Sequence, residues 1–433
     1  MSESKKKIIA ESKENKINND NLKTVRIWMV WHAPDILSQL MRDGISRTMS
    51  FLAISLIKHT NVDVEFLSLS NYEDEFNVFI KDIKSKLDKS LHSRLKIVFY
   101  NNRDVVNKVN SLDERQSVLL LPSSNHPYID QILYRNTLFT CLDLFLNEFT
   151  SLFTIYNNNL LINAIESVSR IKSWSENNPK GNILFASSFW QNKFSEIIKY
   201  DISDYNKYIL HFPQMNIDNV FGKDLKYSLL EKYKIEKHKF IFHPTQNRPY
   251  KNFEVLLKAL KILKDRGNDI KLVLTGKLEH FSPVLKMARY NDLMNEIVET
   301  SDLTSAELGF MYQNCLNTVA CSLGEGALPL IITESLEVDM PVMVANAEYI
   351  DCGFIDRGFE KNEYKKYFQT FDIHNGEQLA KCIEYTQKNR QEVIEKQKNT
   401  KDKLLSFDAK SYAESYVRIF NEILQRNNKK IYE

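Results

Sequence analysis

Short apolar runs alternate along the chain with stretches whose apolar positions recur at helical spacing. Residues 24–31 (TVRIWMVW) read as a buried strand, and residues 45–58 as a helix carrying Met49, Leu52, Ala53 and Leu56 on one face. Residues 62–69, 96–100 and 117–121 (SVLLL) are further strand candidates. Residues 137–145 and 160–174 read as strand and helix material, and residues 182–186 (NILFA) as a strand leading into a helix from Phe189. A second series opens with a strand at 239–243, then a helix carrying Phe253, Leu256, Leu257, Leu260 and Leu263 at helical spacing. Strands at 271–274, 296–299, 316–320 and 341–345 follow, then helical spacing at 376–383 and a last helix over 411–424 with Tyr412, Tyr416, Ile419, Phe420 and Ile423. Residues 1–23 are polar, lysine-rich and aperiodic, which predicts a disordered tail.

Composition bounds the reading without deciding it. A chain of 433 residues is long for one core and comfortable for two. With 43% hydrophobic and 26% charged residues it has the make-up of a soluble globular protein. The net charge of +2 gives no footprint for nucleic acid. Five cysteines form no C-x-x-C pair and lie mostly in apolar company, so free thiols in a reducing compartment are expected. No secretory segment follows Met1 and no apolar run approaches the ~18 residues of a membrane span, which points to the cytoplasm. The lysines of the tail leave attachment to the inner face of a membrane open, although Glu11, Glu14 and Asp20 dilute their charge.

The chemistry concentrates at residues 321–336 (CSLGEGALPLIITESL). An apolar strand runs into a small-residue turn, and Pro329 stands where a first helical turn would begin. Strand, glycine turn and helix start aim backbone N–H groups and the positive helix end at one point, an arrangement suited to phosphate. Glu325 and Glu334 flank that point, and carboxylates are better suited to accepting from sugar hydroxyls, so the turn reads as a nucleotide-sugar site. An ordinary strand–helix turn with solvated carboxylates is the alternative. A second polar loop, residues 244–252 (PTQNRPYKN), follows the strand at 239–243 and carries Arg248 and Lys251. Both can make short charge-assisted contacts to a diphosphate.

The 321–342 segment resembles the signature of retaining glycosyltransferases of family 4 (glycosyl transferases group 1), which have the GT-B architecture. That pattern reads S-x-x-E-G-x-(G/P)-L-x-x-x-E, continuing to P-V, and Ser322, Glu325, Gly326, Glu334, Pro341 and Val342 answer it in order. The family places seven residues between the two glutamates and this chain eight. An extra residue in the turn would leave Glu334 in place; one within the helix would rotate it by about 100°. Lys251-Asn252 matches the family's lysine loop, but the usual arginine position, five before the lysine, holds Gln246, and Arg248 stands three before it.

The resemblance carries further, more loosely. The loop before the first helix has Gly44 alone where the family often pairs glycines near the donor phosphates. His126, in the polar loop after residues 117–121, answers a family histidine near the transferred sugar, with a packed loop histidine as the alternative. Ser187-Ser188 resembles the family's strand–serine–helix unit. Residues 213–218 (PQMNID) resemble its inter-domain linker. Lys277, after the strand at 271–274, would add a phosphate contact or face solvent. Residues 301–308 resemble the loop and helix cap that meet the base, with Thr304 or Ser305 as a sufficient N-cap.

By resemblance the fold is α/β, GT-B, with two Rossmann-like domains facing across a cleft. The tail is followed by an acceptor domain at 24–220, a nucleotide-sugar domain at 221–405, and a terminal helix at 406–433 returning to the first. The implied activity is a retaining hexosyltransferase moving a sugar from a UDP or GDP donor to a glycan, lipid-linked or protein acceptor. Glu325, Lys251, Arg248 and His126 would act in catalysis. Gly44, Arg248, Lys251, Lys277, Gly326, Ala327, Leu328 and Glu334 would hold the donor, with Glu334 on the ribose diol. No metal is expected, because the D-x-D signature is absent and no His/Cys cluster has ligand spacing. The displaced arginine, the longer spacing and the lone glycine keep open a catalytically silent subunit that binds a partner glycosyltransferase or glycan. A phosphorylase or epimerase on the same scaffold lacks specific support.

Overall fold

The structure, a computed structural model, describes residues 22–29, 44–122, 126–141, 158–213, 225–280, 282–300 and 303–432. Residues 1–21 and 30–43, most of the linker resembled at 213–218, and Ser301 and Asp302 lie outside the described residues. The last two residues of the expected disordered tail are described and ordered: Leu22 is buried in the core and the Lys23 N–H donates to the Gln116 carbonyl at 2.9 Å. The chain divides into two compact units, one of residues 1–213 with 407–433, the other of residues 214–406.

The first unit holds a seven-stranded parallel sheet. Its strands are β1 (Thr24–Trp28), β2 (Asp63–Leu69), β3 (Leu95–Tyr100), β4 (Ser117–Leu121), β5 (Thr137–Cys141), β6 (Asn182–Phe185) and β7 (Asn206–Ile209). They run in the order β3-β2-β1-β4-β5-β6-β7, so the sheet is wound outward in both directions from β1 and β4. Every residue of β4, β5 and β6 is buried, as expected for parallel strands covered on both faces. Helix α1 (Gly44–His59) turns Met49, Leu52, Ala53 and Leu56 into the core. Among the described residues this unit's first segment also holds α2 (Glu73–Ser85), α3 (Val105–Asn110), α4 (Asn158–Asn177) and α5 (Ser188–Ile198).

The second unit repeats the plan with six parallel strands. They are β8 (Phe240–His243), β9 (Lys271–Leu274), β10 (Ile297–Glu299), β11 (Asn317–Ala320), β12 (Val342–Asn346) and β13 (Gln369–Asp372), in the order β10-β9-β8-β11-β12-β13. The helices are α6 (Leu225–Tyr233), α7 (Phe253–Asp265), α8 (Ser282–Tyr290), α9 (Ser305–Asn314), α10 (Leu330–Glu337), α11 (Glu348–Ile355), α12 (Gly376–Lys398) and α13 (Lys401–Leu404). Phe253, Leu256, Leu257, Leu260 and Leu263 of α7 are buried as their spacing predicts, and Val255 and Ala259 are buried as well because α12 packs over the helix. Gly376 permits that approach: a Cβ there would stand 2.5 Å from Lys258 Cβ. Thr304 caps α9, accepting from the Glu307 N–H at 3.2 Å while its own N–H donates to the Glu307 carboxylate at 2.8 Å.

The last helix, α14 (Ala409–Tyr432), follows the second unit in sequence but belongs to the first. Tyr412, Tyr416, Ile419 and Phe420 join Met49, Leu52 and Ala53 of α1 in one core. All five cysteines are free thiols, Cys141, Cys315 and Cys321 buried and Cys352 and Cys382 partly so. Among the described residues no helix is long and apolar enough to cross a membrane.

Candidate functional site

In an open parallel sheet wound both ways from its centre, the loops that leave the two central strands part in opposite directions and open a crevice at the strands' C-terminal ends. In the second unit those strands are β8 and β11. The loops leaving them are residues 244–252 and 321–329, the two stretches that carry the candidate chemistry.

Several contacts hold the loops together. The Leu323 N–H donates to the Tyr250 carbonyl at 2.7 Å. Asn252 Nδ2 donates to the carbonyls of Cys321 at 3.0 Å and Ile373 at 2.7 Å. To do so Asn252 takes a left-handed backbone (φ 54°, ψ 44°), which asparagine tolerates better than most residues. The turn after β9 comes up underneath: a Cβ on Gly276 would lie 2.6 Å from the Asn247 nitrogen and the Thr245 carbonyl oxygen, so glycine is required for that close approach. Asn247 Nδ2 in turn donates to the Leu278 carbonyl at 3.0 Å.

Across the loops, Lys251 Nζ lies 2.5 Å from Glu325 Oε1, and the Ser322 hydroxyl donates to the same oxygen at 2.5 Å. The lysine and glutamate side chains keep 17% and 19% of their exposure, little enough to strengthen the pair and enough for a ligand to reach it. Burial pulls the Lys251 ammonium down, but the Glu325 carboxylate and the Tyr250 phenol outweigh it, and its pKa is raised. The lysine is therefore a permanent cation. His243, at the end of β8, is fully buried, its Nδ1 3.0 Å from the Val319 carbonyl. Burial, and then the Lys251 charge, hold its pKa down to about 3, so it stays neutral. The buried Tyr349 hydroxyl donates to the Ser322 carbonyl at 2.7 Å, anchoring the turn from behind.

Arg248 Nη2 donates to Gln246 Oε1 at 2.7 Å and Nη1 to the Tyr250 hydroxyl at 3.3 Å. The guanidinium thus lies beside the side chain that holds the usual arginine position. From Pro329 to Glu334 the chain keeps the resembled spacing, so the extra residue falls between Gly326 and Pro329, ahead of Leu330 where α10 begins. Glu334 is therefore not rotated about the helix. Its Oε2 accepts from the Tyr312 hydroxyl at 2.5 Å. Ala327 and Leu328 are buried and Gly326 partly exposed in the turn before α10. Lys277 is exposed, 3.5 Å from Glu279.

Gly44 and His126 belong to the first unit. Gly44 opens α1, whose first turn has no acidic residue. His126 follows β4 and is buried edge-on against Trp28 at 4.6 Å, and its Nδ1 accepts from the Tyr128 N–H at 3.4 Å. It too stands at a switch point, beside the ends of β1 and β4. Among the described residues no group of three His, Cys, Asp or Glu side chains is placed to hold a metal ion.

Sequence reasoning missed Tyr312, Tyr349 and His243. Each reads as core by pattern, and each is indeed buried; its polar atom gives it a place at the site.

Residues 228–402 match the family described as Glycosyl transferases group 1, which covers most of the second unit and less than half of the chain. No curated protein matches the chain in sequence. Solved structures match it over nearly its whole length. The Anabaena protein HepE, in complex with UDP and glucose, superposes with a TM-score of 0.67 at 10% identity, covering 92% of this chain and 100% of its own. Sucrose-phosphate synthase from Thermosynechococcus elongatus gives 0.65 at 11% identity, covering 93% and 100%. A mutant of S. aureus TarM, in complex with fondaparinux, alpha-GlcNAc-glycerol and UDP, gives 0.57 at 10% identity, covering 92% and 100%. The fold is α/β, two parallel sheets with helices matching GT-B glycosyltransferase structures.

Proposed function

We propose that this chain is a retaining glycosyltransferase that takes a sugar from a UDP or GDP donor held by the second unit and passes it to a glycan, lipid-linked or protein acceptor. One observation carries the reading: Lys251 and Glu325 meet at the β8/β11 switch point, in front of the turn that leads into α10. A fixed cation, a carboxylate and a helix N-terminus at one point suit a ligand with both phosphates and hydroxyls. The match of residues 228–402 to the family and the UDP in HepE and TarM support it.

As the glycosidic bond breaks, the leaving diphosphate gains negative charge and the anomeric carbon becomes cation-like. Lys251, Arg248 and the backbone N–H groups of Gly326, Ala327 and Leu328 would stabilise the diphosphate, and preorganised electrostatics of this kind is usually the largest single catalytic contribution. Lys251 must then exchange Glu325 for phosphate, and the released carboxylate becomes free to accept from donor-sugar hydroxyls. Glu334 would take the ribose diol. By resemblance alone Gly44 is proposed for the donor phosphates and His126 for the transferred sugar, and Lys277 would add a phosphate contact on turning from Glu279.

Calorimetric titration of UDP and GDP into the wild type and Lys251→Ala tests this. One nucleotide should bind, and the variant should weaken it by about tenfold or more, the scale of one charge-assisted contact. Binding of neither would overturn the donor site and favour a silent scaffold subunit.

A further inference from the structure

We infer that Tyr312 is a positioning residue that fixes Glu334 for recognition of the donor's ribose, an inference that rests on the donor-site reading above. Tyr312 lies on α9 and is wholly buried. Its ring packs edge-to-face on Phe242 of β8, centroids 5.2 Å apart at 86°, so the hydroxyl has little choice of direction. It donates to Glu334 Oε2 at 2.5 Å from 22 residues away in sequence. A buried phenol needs an acceptor, and many carbonyls would serve. Here the acceptor is the one carboxylate of α10 that the site reading assigns to a ligand.

A glutamate on a helix has three freely rotating bonds, and ordering it on binding costs affinity. A tyrosine clamped from behind removes that freedom before the ligand arrives. The carboxylate also keeps its capacity: two oxygens offer about four acceptor positions, and the phenol uses one. What remains suits the two adjacent hydroxyls of a ribose. The expected signature is selectivity: Tyr312 should matter for a ribonucleotide far more than for its 2′-deoxy counterpart, because only the former presents the full diol to Glu334.

The test is a double-mutant cycle of wild type, Tyr312→Phe, Glu334→Ala and the double variant. Each is titrated with whichever of UDP and GDP the wild type binds, and with the 2′-deoxy form of that nucleotide. We expect the wild type to prefer ribose by tenfold or more. Tyr312→Phe should lower that preference at least fivefold while changing affinity for the deoxy form less than twofold. The double variant should lose no more preference than Glu334→Ala alone. If Tyr312→Phe does not fold, Tyr312→Met, which fills the space with a flexible apolar chain, replaces it in the cycle. An unchanged preference in the tyrosine variant, or losses that add in the double variant, overturns the positioning role while leaving the donor site intact. A wild type that binds no nucleotide overturns the donor site itself.

Discussion

Lys251 and Glu325, 74 positions apart in sequence, meet across 2.5 Å, one on the loop that leaves β8 and the other on the loop that leaves β11. Each is the other's counter-ion, and each is a group that a nucleotide-sugar would engage. On the proposed reading a ligand phosphate would compete with Glu325 for the ammonium, and a sugar hydroxyl would compete with Lys251 for the carboxylate. Glu325→Gln should separate the two roles. Affinity for the free nucleotide diphosphate should hold or rise by up to about tenfold, since the competitor has lost its charge, a gain of at most roughly 1.4 kcal/mol. Nucleotide release from the intact donor should fall by about a hundredfold or more, the scale of removing a preorganised electrostatic contact. A parallel loss of both would sink the exchange.

Asn252 gives a conformational test. Its left-handed backbone and its two bonds to carbonyls make separate contributions. Asn252→Ala should cost about 2–4 kcal/mol, through two unmet carbonyls and a strained φ. Asn252→Gly loses the same bonds without the strain and should be about 1 kcal/mol milder. Urea unfolding of both variants decides; alanine at or below the glycine cost would contradict the account.

Gly276→Ala places a Cβ 2.6 Å from two backbone atoms of the 244–252 loop, none of which can rotate away. The loop must move, and with it Arg248 and Lys251. Nucleotide affinity should drop at least about tenfold, as a misplaced clamp loses a charge-assisted contact. Retained affinity with a lowered melting temperature would show that the loop absorbs the shift elsewhere.

His243 predicts a pH dependence. Its pKa is near 6.5 unfolded and is held to about 3 in the fold by burial and then by Lys251. Above pH 6.5 both states are neutral there and the histidine adds no slope. Between 6.5 and 3 the unfolded chain takes up a proton that the native state refuses, so stability falls as pH falls, by up to about 1.4 kcal/mol per unit. His243→Gln should remove that share of the slope in urea midpoints measured from pH 7 to 4.5. Identical slopes would mean that the histidine is protonated in the fold.

The legible and illegible parts of this molecule differ for physical reasons. The buried strands could be read because parallel strands covered on both faces leave unbroken apolar runs such as Ser117–Leu121. Helix α7 was read from its 3.6-residue period. The candidate residues Lys251, Glu325 and Glu334 were visible as charges in the turns and helix starts that follow buried strands. Their partnerships were not. The Lys251–Glu325 pair depends on β8 and β11 being neighbours, which sheet order decides. Arg248 reaches Gln246 by side-chain direction, which spacing cannot give. The added residue between the glutamates could be placed once the start of α10 was known. Tyr312 and Tyr349 follow the same helical periodicity as any core aromatic, and only their hydroxyl partners distinguish them.

The return of α14 to the first unit sets the order in which a growing chain can finish. Residues 214–406 form the second unit without interruption, so everything it needs has been synthesised before α14 exists. The first unit begins earlier yet ends later. Until Tyr412, Tyr416, Ile419 and Phe420 emerge from the ribosome, the core around Met49, Leu52 and Ala53 lacks the part of its cover that they supply. The half made first is therefore the half that must wait, with a sticky surface exposed throughout the making of the other. Chaperone binding during translation should concentrate on the segment around α1.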